Sequence, residues 1–290
     1  ASDHAVILGE ITHSGGEENE LDLFWGDNDG NQTLGNWDSN ATPLGSGKEG
    51  FYGTTISGLT AGETYYYRLR SQGKLNPKGV SGANLKLWLD ASELSTVDAN
   101  WQDKSGNGNH GTTGGSPSVI TNAQNGLSVM HYTGNGQRHK FNMITDIRTV
   151  FWVISQDSSV FGSNQFRYLL SDSTKHPHFH NARNDKFWST NTWTHANIRS
   201  GQTKMNGAVI NGQTTSVPSN LSVVSLRTTG NVHADNFGYD RGSTQRQWIG
   251  KLGELIVYNS ALSDSDIAKV EGYLAHKWGL TSSLDSAHTY

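Results

Sequence analysis

The residues with the clearest chemical potential lie in the middle of the chain, where His176, Pro177, His178, Phe179 and His180 run consecutively. Alternate histidines on a strand share a face and could pair on a transition metal, while Pro177 argues for an edge or loop. Just downstream come Arg183, Asn184, Asp185, Trp188 and Trp193. An aromatic platform beside planar polar groups that fork to vicinal hydroxyls is the design of a sugar site. The same two tryptophans would serve equally as core. A second group, Tyr239, Asp240 and Arg241, reads either as a ligand cluster or as a structural ion pair.

Two acidic runs could hold a hard cation. Asp27, Asp29, Asn31 and Thr33 alternate and are followed by Asp38, placing oxygen ligands as calcium loops do. Gln32 sits where such loops need a sharp-turn glycine, Asp38 replaces a bidentate Glu, and no helices flank the run, so an Asx-rich loop is the competing reading. Asp103, Ser105, Asn107 and Asn109 alternate around Gly106 and Gly108, which suits calcium or a turn anchored on the Asp103 carboxylate. The pattern of Gly45, Gly47 and Gly50 matches G-x-G-x-x-G but leads into a strand, so it supplies no phosphate site.

Catalytic sets are sparse. A retaining glycosidase needs two nearby carboxylates. The GELIVY run supplies only Glu254, and nothing in the spacing of Asp172 and Asp185 pairs them. A lyase would need a His/Tyr/Arg set, for which His178, Tyr168 and Arg183 are available. No Ser/His/Asp arrangement has motif support.

These residues must be positioned by strands. The chain has 290 residues, 34 of them glycine, with only 17% charged, which favours an all-β protein with many turns. It has no cysteine, so disulfides and thiolate chemistry are excluded. The net charge of −4 without a basic cluster argues against nucleic acid, and no apolar run is long enough to insert in a membrane. A start at Ala1 rather than Met leads us to expect a processed product or fragment.

Residues 1–75 read as a small β-module, with strands at Ala5–Ile11, Leu21–Trp25, Phe51–Ile56 and Thr64–Leu69. Residues 73–84, broken by Pro77 and glycines, read as a linker. From 84 to 290 a second domain is expected. Strands are predicted where Leu85, Leu87 and Leu89 alternate with Lys86, Trp88 and Asp90, and at Val150–Ile154, Arg167–Leu170 and Leu255–Tyr258. Asn206-Gly207 and Asn211-Gly212 flank a hairpin strand at Ala208–Ile210. Ile267, Val270, Leu274 and Trp278 form one stripe of a terminal helix, N-capped by Ser263 and closed by Gly279, with Lys269, Glu271 and Lys277 off the stripe.

In the first module Leu59, Thr60, Gly62, Tyr65 and Arg68 form a pattern that resembles a fibronectin type III or related immunoglobulin-like module, with Tyr65 or Tyr67 suited to its tyrosine corner. In the second, LWLDAS (Leu87–Ser92), WQDKSGNGNHG (Trp101–Gly111), TTGNVHADNFGYDR (Thr228–Arg241), the segment from Trp248 to Asn259 and VEGYLAHKWGL (Val270–Leu280) occur in order. Together they resemble a laminin-G-like, concanavalin-A-like jelly roll. The resemblance implies an antiparallel β-sandwich with a C-terminal helix and loops gathered at the rims. It implies a secreted or cell-surface, non-catalytic binding module, recognising carbohydrate in a bacterial adhesin or polysaccharide-processing protein, with calcium as a structural ion. The partner would be a glycan or cell-surface ligand, and the chain part of a larger multidomain protein. Protein–protein adhesion or spacing, and a polysaccharide lyase or glycoside hydrolase on the same fold, are the alternatives.

Overall fold

A computed structural model describes residues 3–12, 19–31, 36–39, 41–47, 49–73, 77–174, 177–181, 183–240 and 246–289. The chain divides into two compact units, Ala1–Leu75 and Asn76–Tyr290.

In the first unit, β1 (His4–Ile11) pairs with β4 (Gly50–Ser57), while β2 (Asn19–Gly26) lies between β3 (Thr42–Gly47) and β5 (Tyr66–Gly73), all antiparallel. Leu21, Leu23, Phe24, Trp37 and Ile56 are its buried apolar residues. The Tyr65 hydroxyl accepts the Thr60 N–H at 3.1 Å, pinning the turn before β5, whereas Tyr67 is exposed.

The second unit opens with α1 (Pro77–Ser81), in the segment read as linker. It is held there because Tyr258 donates its hydroxyl to the Pro77 carbonyl at 2.7 Å and Asn259 N–H donates to Asn84 O at 3.0 Å. The strands that follow are β6 (Leu85–Asp90), β7 (Asn100–Trp101), β8 (Gly111–Gly114), β9 (Ser118–Gln124), β10 (Leu127–Thr133) and β11 (Arg138–Gln156). After α2 (Ala196–Arg199) come β12 (Gln202–Met205), β13 (Ala208–Ile210), β14 (Ser222–Phe237) and β15 (Ile249–Tyr258), then α3 (Asp264–Lys277). The hydrogen-bonded order is β13-β12-β14-β11-β15-β10-β9, with β6 beside β15 and β8 beside β11 and β7. All pairs are antiparallel.

The architecture is an all-β antiparallel sandwich with a C-terminal helix. Register shifts near Ile144 and Ile147 interrupt the pairing of the long strands β11 and β14. The apolar run Val150–Ile154 is continuous because both of its faces are buried. Val150, Trp152 and Ile154 face the inner core with Leu87, Leu89, Leu255 and Trp188. Phe151 and Val153 face Ile267, Val270 and Leu274 of α3 and Trp278 at its C-terminal cap. Each such fully buried side chain contributes about 1.5–3 kcal/mol.

Both caps of α3 form as expected. Ser263 Oγ accepts the Asp266 N–H at 3.1 Å, and Gly279, at φ +64°, lets Leu280 N–H close on Ala275 O at 2.7 Å. Glu271 departs from expectation. It is buried, its Oε1 accepting from Ser225 Oγ at 2.6 Å. Asn206 and Gly207 both have positive φ in the β12–β13 hairpin. Arg167–Leu170 is not a strand. Its region makes only isolated bridges, Tyr168 with His180 and Ser171 with Asn236.

Candidate functional site

The bridges Tyr168–His180 and His178–Thr194 draw three loop segments together at one place on the second unit. Tyr168 lies 5.0 Å from the His178 ring and 4.7 Å from the His180 ring. Phe166 stands edge-on to His180 at 4.5 Å, and Trp193 lies 5.4 Å from it. Below them, His178 Nε2 is 3.5 Å from Asp240 Oδ1, and Arg246 reaches Asp240 Oδ2 at 3.3 Å. Above, the Arg183 guanidinium covers the Phe166 ring at 4.9 Å, and that of Arg246 lies over Phe166 at 5.3 Å and Trp193 at 5.8 Å.

Tyr168, His178, His180 and Asp240 are buried, while Arg183 is exposed and Trp193 is 43% exposed. His180 Nδ1–H donates to Asn181 O at 2.8 Å, which leaves the neutral ring's lone pair on Nε2. Burial lowers the His180 pKa to about 4, so the ring is uncharged at neutral pH. Burial, then the Asp240 charge, pushes the Tyr168 hydroxyl well above the usual range. The cluster thus joins an uncharged imidazole, a protonated phenol, one carboxylate and two guanidinium groups.

Several expected ligand residues belong elsewhere. Trp188 is a core residue: its indole packs 6.3 Å from both Trp152 and Phe179, and its N–H donates to Thr203 Oγ1 at 2.8 Å, so its assignment to a sugar platform is corrected. Asn184 and Asp185 occupy a tight turn with φ of 60° and 62°. Asp185 is buried there, its two oxygens accepting from Gln156 Nε2 and Gly162 N–H, each at 2.7 Å, which turns it away from a ligand. The Tyr239 ring faces Arg138, 4.8 Å away, rather than the histidines. Arg241 and His176 lie outside the described residues.

The acidic runs are bound up in their own backbones. Asp38 Oδ2 accepts the Asp27 N–H at 2.8 Å and Asp29 Oδ1 accepts the Asn31 N–H at 2.9 Å. A side-chain hydrogen bond with Asp38 and its charge raise the Asp27 pKa. Asp103 takes N–H groups from Trp88, Ser105 and Asn109 at 2.9 Å each, and Asn107 Nδ2 donates to Leu85 O at 2.7 Å. No group of three or more His, Asp or Glu side chains among the described residues could hold a metal ion. These backbone N–H partners occupy carboxylate oxygens of Asp38, Asp29 and Asp103, an arrangement that suits turns rather than a calcium cage.

Glu254, the acid available from the GELIVY run, is fully buried. It accepts from Trp88 Nε1 at 2.6 Å, Trp278 Nε1 at 3.0 Å and Lys277 Nζ at 2.9 Å, which makes it scaffold. Asp172 pairs with His233 at 3.2 Å while Asp185 serves its own turn, so those two carboxylates have different partners. Sequence reasoning passed over Phe166 and Arg246. Neither stands in a recognisable motif, and only the folded loops bring them to the histidines.

No family model matches the chain, and no curated protein matches it. Among solved structures, a Trypanosoma rangeli sialidase in complex with the inhibitor DANA matches 64% of the chain over 32% of its own length, at 13% identity and a TM-score of 0.37. The same sialidase in complex with sialic acid matches 94% of the chain over 53% of its length, at 12% identity and a TM-score of 0.37. An exo-beta-1,3-galactanase from Phanerochaete chrysosporium, with galactose, matches 51% of the chain over 27% of its length, at 15% identity and a TM-score of 0.23. The chain thus spans between about a quarter and a half of these proteins. They are enzymes, and this finding corrects the expectation of a non-catalytic binding module without enzymatic activity. TM-scores below 0.5 carry neither a shared active site nor a mechanism to this chain.

Proposed function

We propose that the chain is a glycan-cleaving enzyme whose site is the cluster of Tyr168, His178 and His180 under Arg183, Arg246 and Trp193. The observation that carries this reading is the convergence of an uncharged histidine, a protonated tyrosine and two guanidinium groups beside a single carboxylate. A double displacement needs two carboxylates about 5 Å apart. One carboxylate with a His/Tyr/Arg set suits β-elimination on a uronate sugar.

In that reaction an arginine neutralises the sugar carboxylate and stabilises the charge that develops when C5 loses its proton. His180 Nε2 takes the proton, the C5–H electron pair becomes the C4–C5 double bond, and the C4–O bond breaks. The departing oxygen takes its proton from the Tyr168 hydroxyl. The proton held by His180 then returns to Tyr168 through solvent. Because Tyr168 and His180 are buried, the Trp193 indole is the moving part in this scheme: it must swing to admit a sugar ring.

We also read the first unit as fibronectin-like, which the Tyr65–Thr60 bond supports, and the second as laminin-G-like, which the Asp103-anchored SGNGNHG turn supports. We also propose that the enzyme is secreted or held at the cell surface.

The test is incubation with polygalacturonate, alginate and neutral β-glucan, following reducing ends and the ultraviolet absorbance of an unsaturated uronate together. Reducing ends with that absorbance support elimination. Reducing ends without it show hydrolysis instead, and no reducing ends from any polymer overturn the proposal.

A further inference from the structure

A groove of about 460 Å3 opens where β7, β8 and the first residues of β11 lie side by side. Its chemistry follows from strand register. Asn100 pairs with Thr112, Thr112 pairs with Lys140, and Gly114 pairs with Arg138. Directly paired residues share a face of the sheet, and so do residues two apart along a strand. Asn100, Thr112 and Lys140 therefore form one row across three strands, with Arg138 and Asn142 on either side of Lys140. The intervening His139 and Phe141 are buried on the core side.

His110 completes the lining. Its Nδ1 accepts the Asp103 N–H at 3.1 Å, so the neutral ring carries its proton on Nε2 and presents a donor. Arg138 is held by the Gly136 carbonyl at 3.0 Å and by the Tyr239 ring at 4.8 Å. Gly114 keeps the space for its arm, since a Cβ there would stand 2.8 Å from the guanidinium carbon. Lys140 lies 3.6 Å from Asp235, whose carboxylate also accepts the Ser173 N–H at 2.8 Å and Asn236 Nδ2 at 2.9 Å, and it is 55% exposed. Among the described residues lining the groove none is acidic, although the chain as a whole carries a charge of −4.

We propose that this groove binds a saccharide bearing a sulfate or carboxylate group. Arg138 and Lys140 meet the anionic substituent, while Asn100, Thr112, Asn142 and His110 meet ring hydroxyls. A fixed guanidinium loses little freedom on pairing with a planar anion, and a small set of oriented donors sets which sugar fits. The ligand class rests on the glycan reading above, but binding here does not require cleavage.

The experiment is calorimetric titration of the full chain with a heparin oligosaccharide, an oligogalacturonate and a neutral cello-oligosaccharide. Saturable binding of at least one anionic probe, with the neutral probe much weaker, is expected. The two anionic arms decide between sulfate and carboxylate. Lys140→Gln and Arg138→Ala should each weaken that binding about tenfold, the loss of one charge-assisted contact. Lys140 is an exposed side chain, so Lys140→Gln should leave the thermal midpoint in place and guards against a folding artefact. No anionic binding, equal affinity for the neutral probe, or unchanged affinity in both variants overturns the proposal. Tyr168→Phe separates the two sites: it should lower cleavage about 100-fold and leave groove affinity intact. If no polymer is cleaved yet Lys140→Gln still loses affinity, the enzymatic reading fails and the groove stands.

Discussion

Lys277 Nζ donates to Glu254 Oε2 at 2.9 Å, tying the last turn of the terminal helix to a fully buried carboxylate in the sheet. The same ammonium reaches Asp90 Oδ2 at 2.7 Å, and Asp90 also takes Lys104 at 2.7 Å. Burial and the neighbouring Asp90 charge raise the Glu254 pKa. At Asp90 burial opposes ionisation, but Lys277 and Lys104 outweigh it and hold the pKa below the usual range. Removing the shared cation leaves the buried Glu254 without its counter-charge and Asp90 with Lys104 alone. Lys277→Met should therefore cost about 3–5 kcal/mol in urea unfolding, while Lys277→Met with Glu254→Gln should recover part of it. Additive losses would show that the pair is not coupled.

Two of the buried histidines, His139 and His180, make stability fall on the acid side. Burial lowers His139 to about 3 and His180 to about 4, from an unfolded value of 6.5. A depressed histidine pKa means that the unfolded chain takes up the proton first. Stability is therefore full above pH 6.5 and declines as pH falls towards 4. Each histidine should cost about 2 kcal/mol between pH 6.5 and 5. Denaturant midpoints across this window measure the slope, and His139→Gln should roughly halve it. A flat profile in the parent chain would show that neither ring is buried neutral.

The two mid-domain tryptophans separate in the same kind of measurement. Trp188→Ala opens a cavity beside Trp152 and Phe179 and leaves Thr203 without its donor, so it should cost about 3–5 kcal/mol. Trp193→Ala removes a half-exposed ring and should cost less than about 1 kcal/mol. Similar losses for both would mean that Trp193 is core as well.

What the sequence made legible was periodic. The α3 stripe, its Ser263 and Gly279 caps and the Asn206-Gly207 hairpin follow from local spacing, and each formed. Glu271 escaped because a position off the apolar stripe can still meet the sheet when Ser225 supplies a hydrogen bond. Residues 77–84 escaped because Pro and Gly signal a break in periodicity, not whether Tyr258 will hold the break. At the site, His178 and His180 were visible as a motif, but Arg246 and Phe166 are joined to them only by loop closure. Tyr168 and Arg183 were available as chemistry without a reason to meet. The groove was within reach: Arg138, Lys140 and Asn142 alternate along β11, a polar face of period two that the polar His139 between them conceals.

The Tyr168 hydroxyl has a role in the proposed reaction that a packing residue would not have. Tyr168→Phe keeps the ring against His178 and His180 and deletes only the acid. It should lower kcat by about 100-fold or more with KM little changed, as for loss of a general acid. Arg246→Gln removes charge that faces both the substrate and Asp240, so it should raise KM as well. A Tyr168→Phe variant whose kcat is intact, or whose loss follows a fall in thermal midpoint, would assign Tyr168 to the scaffold and move the acid elsewhere.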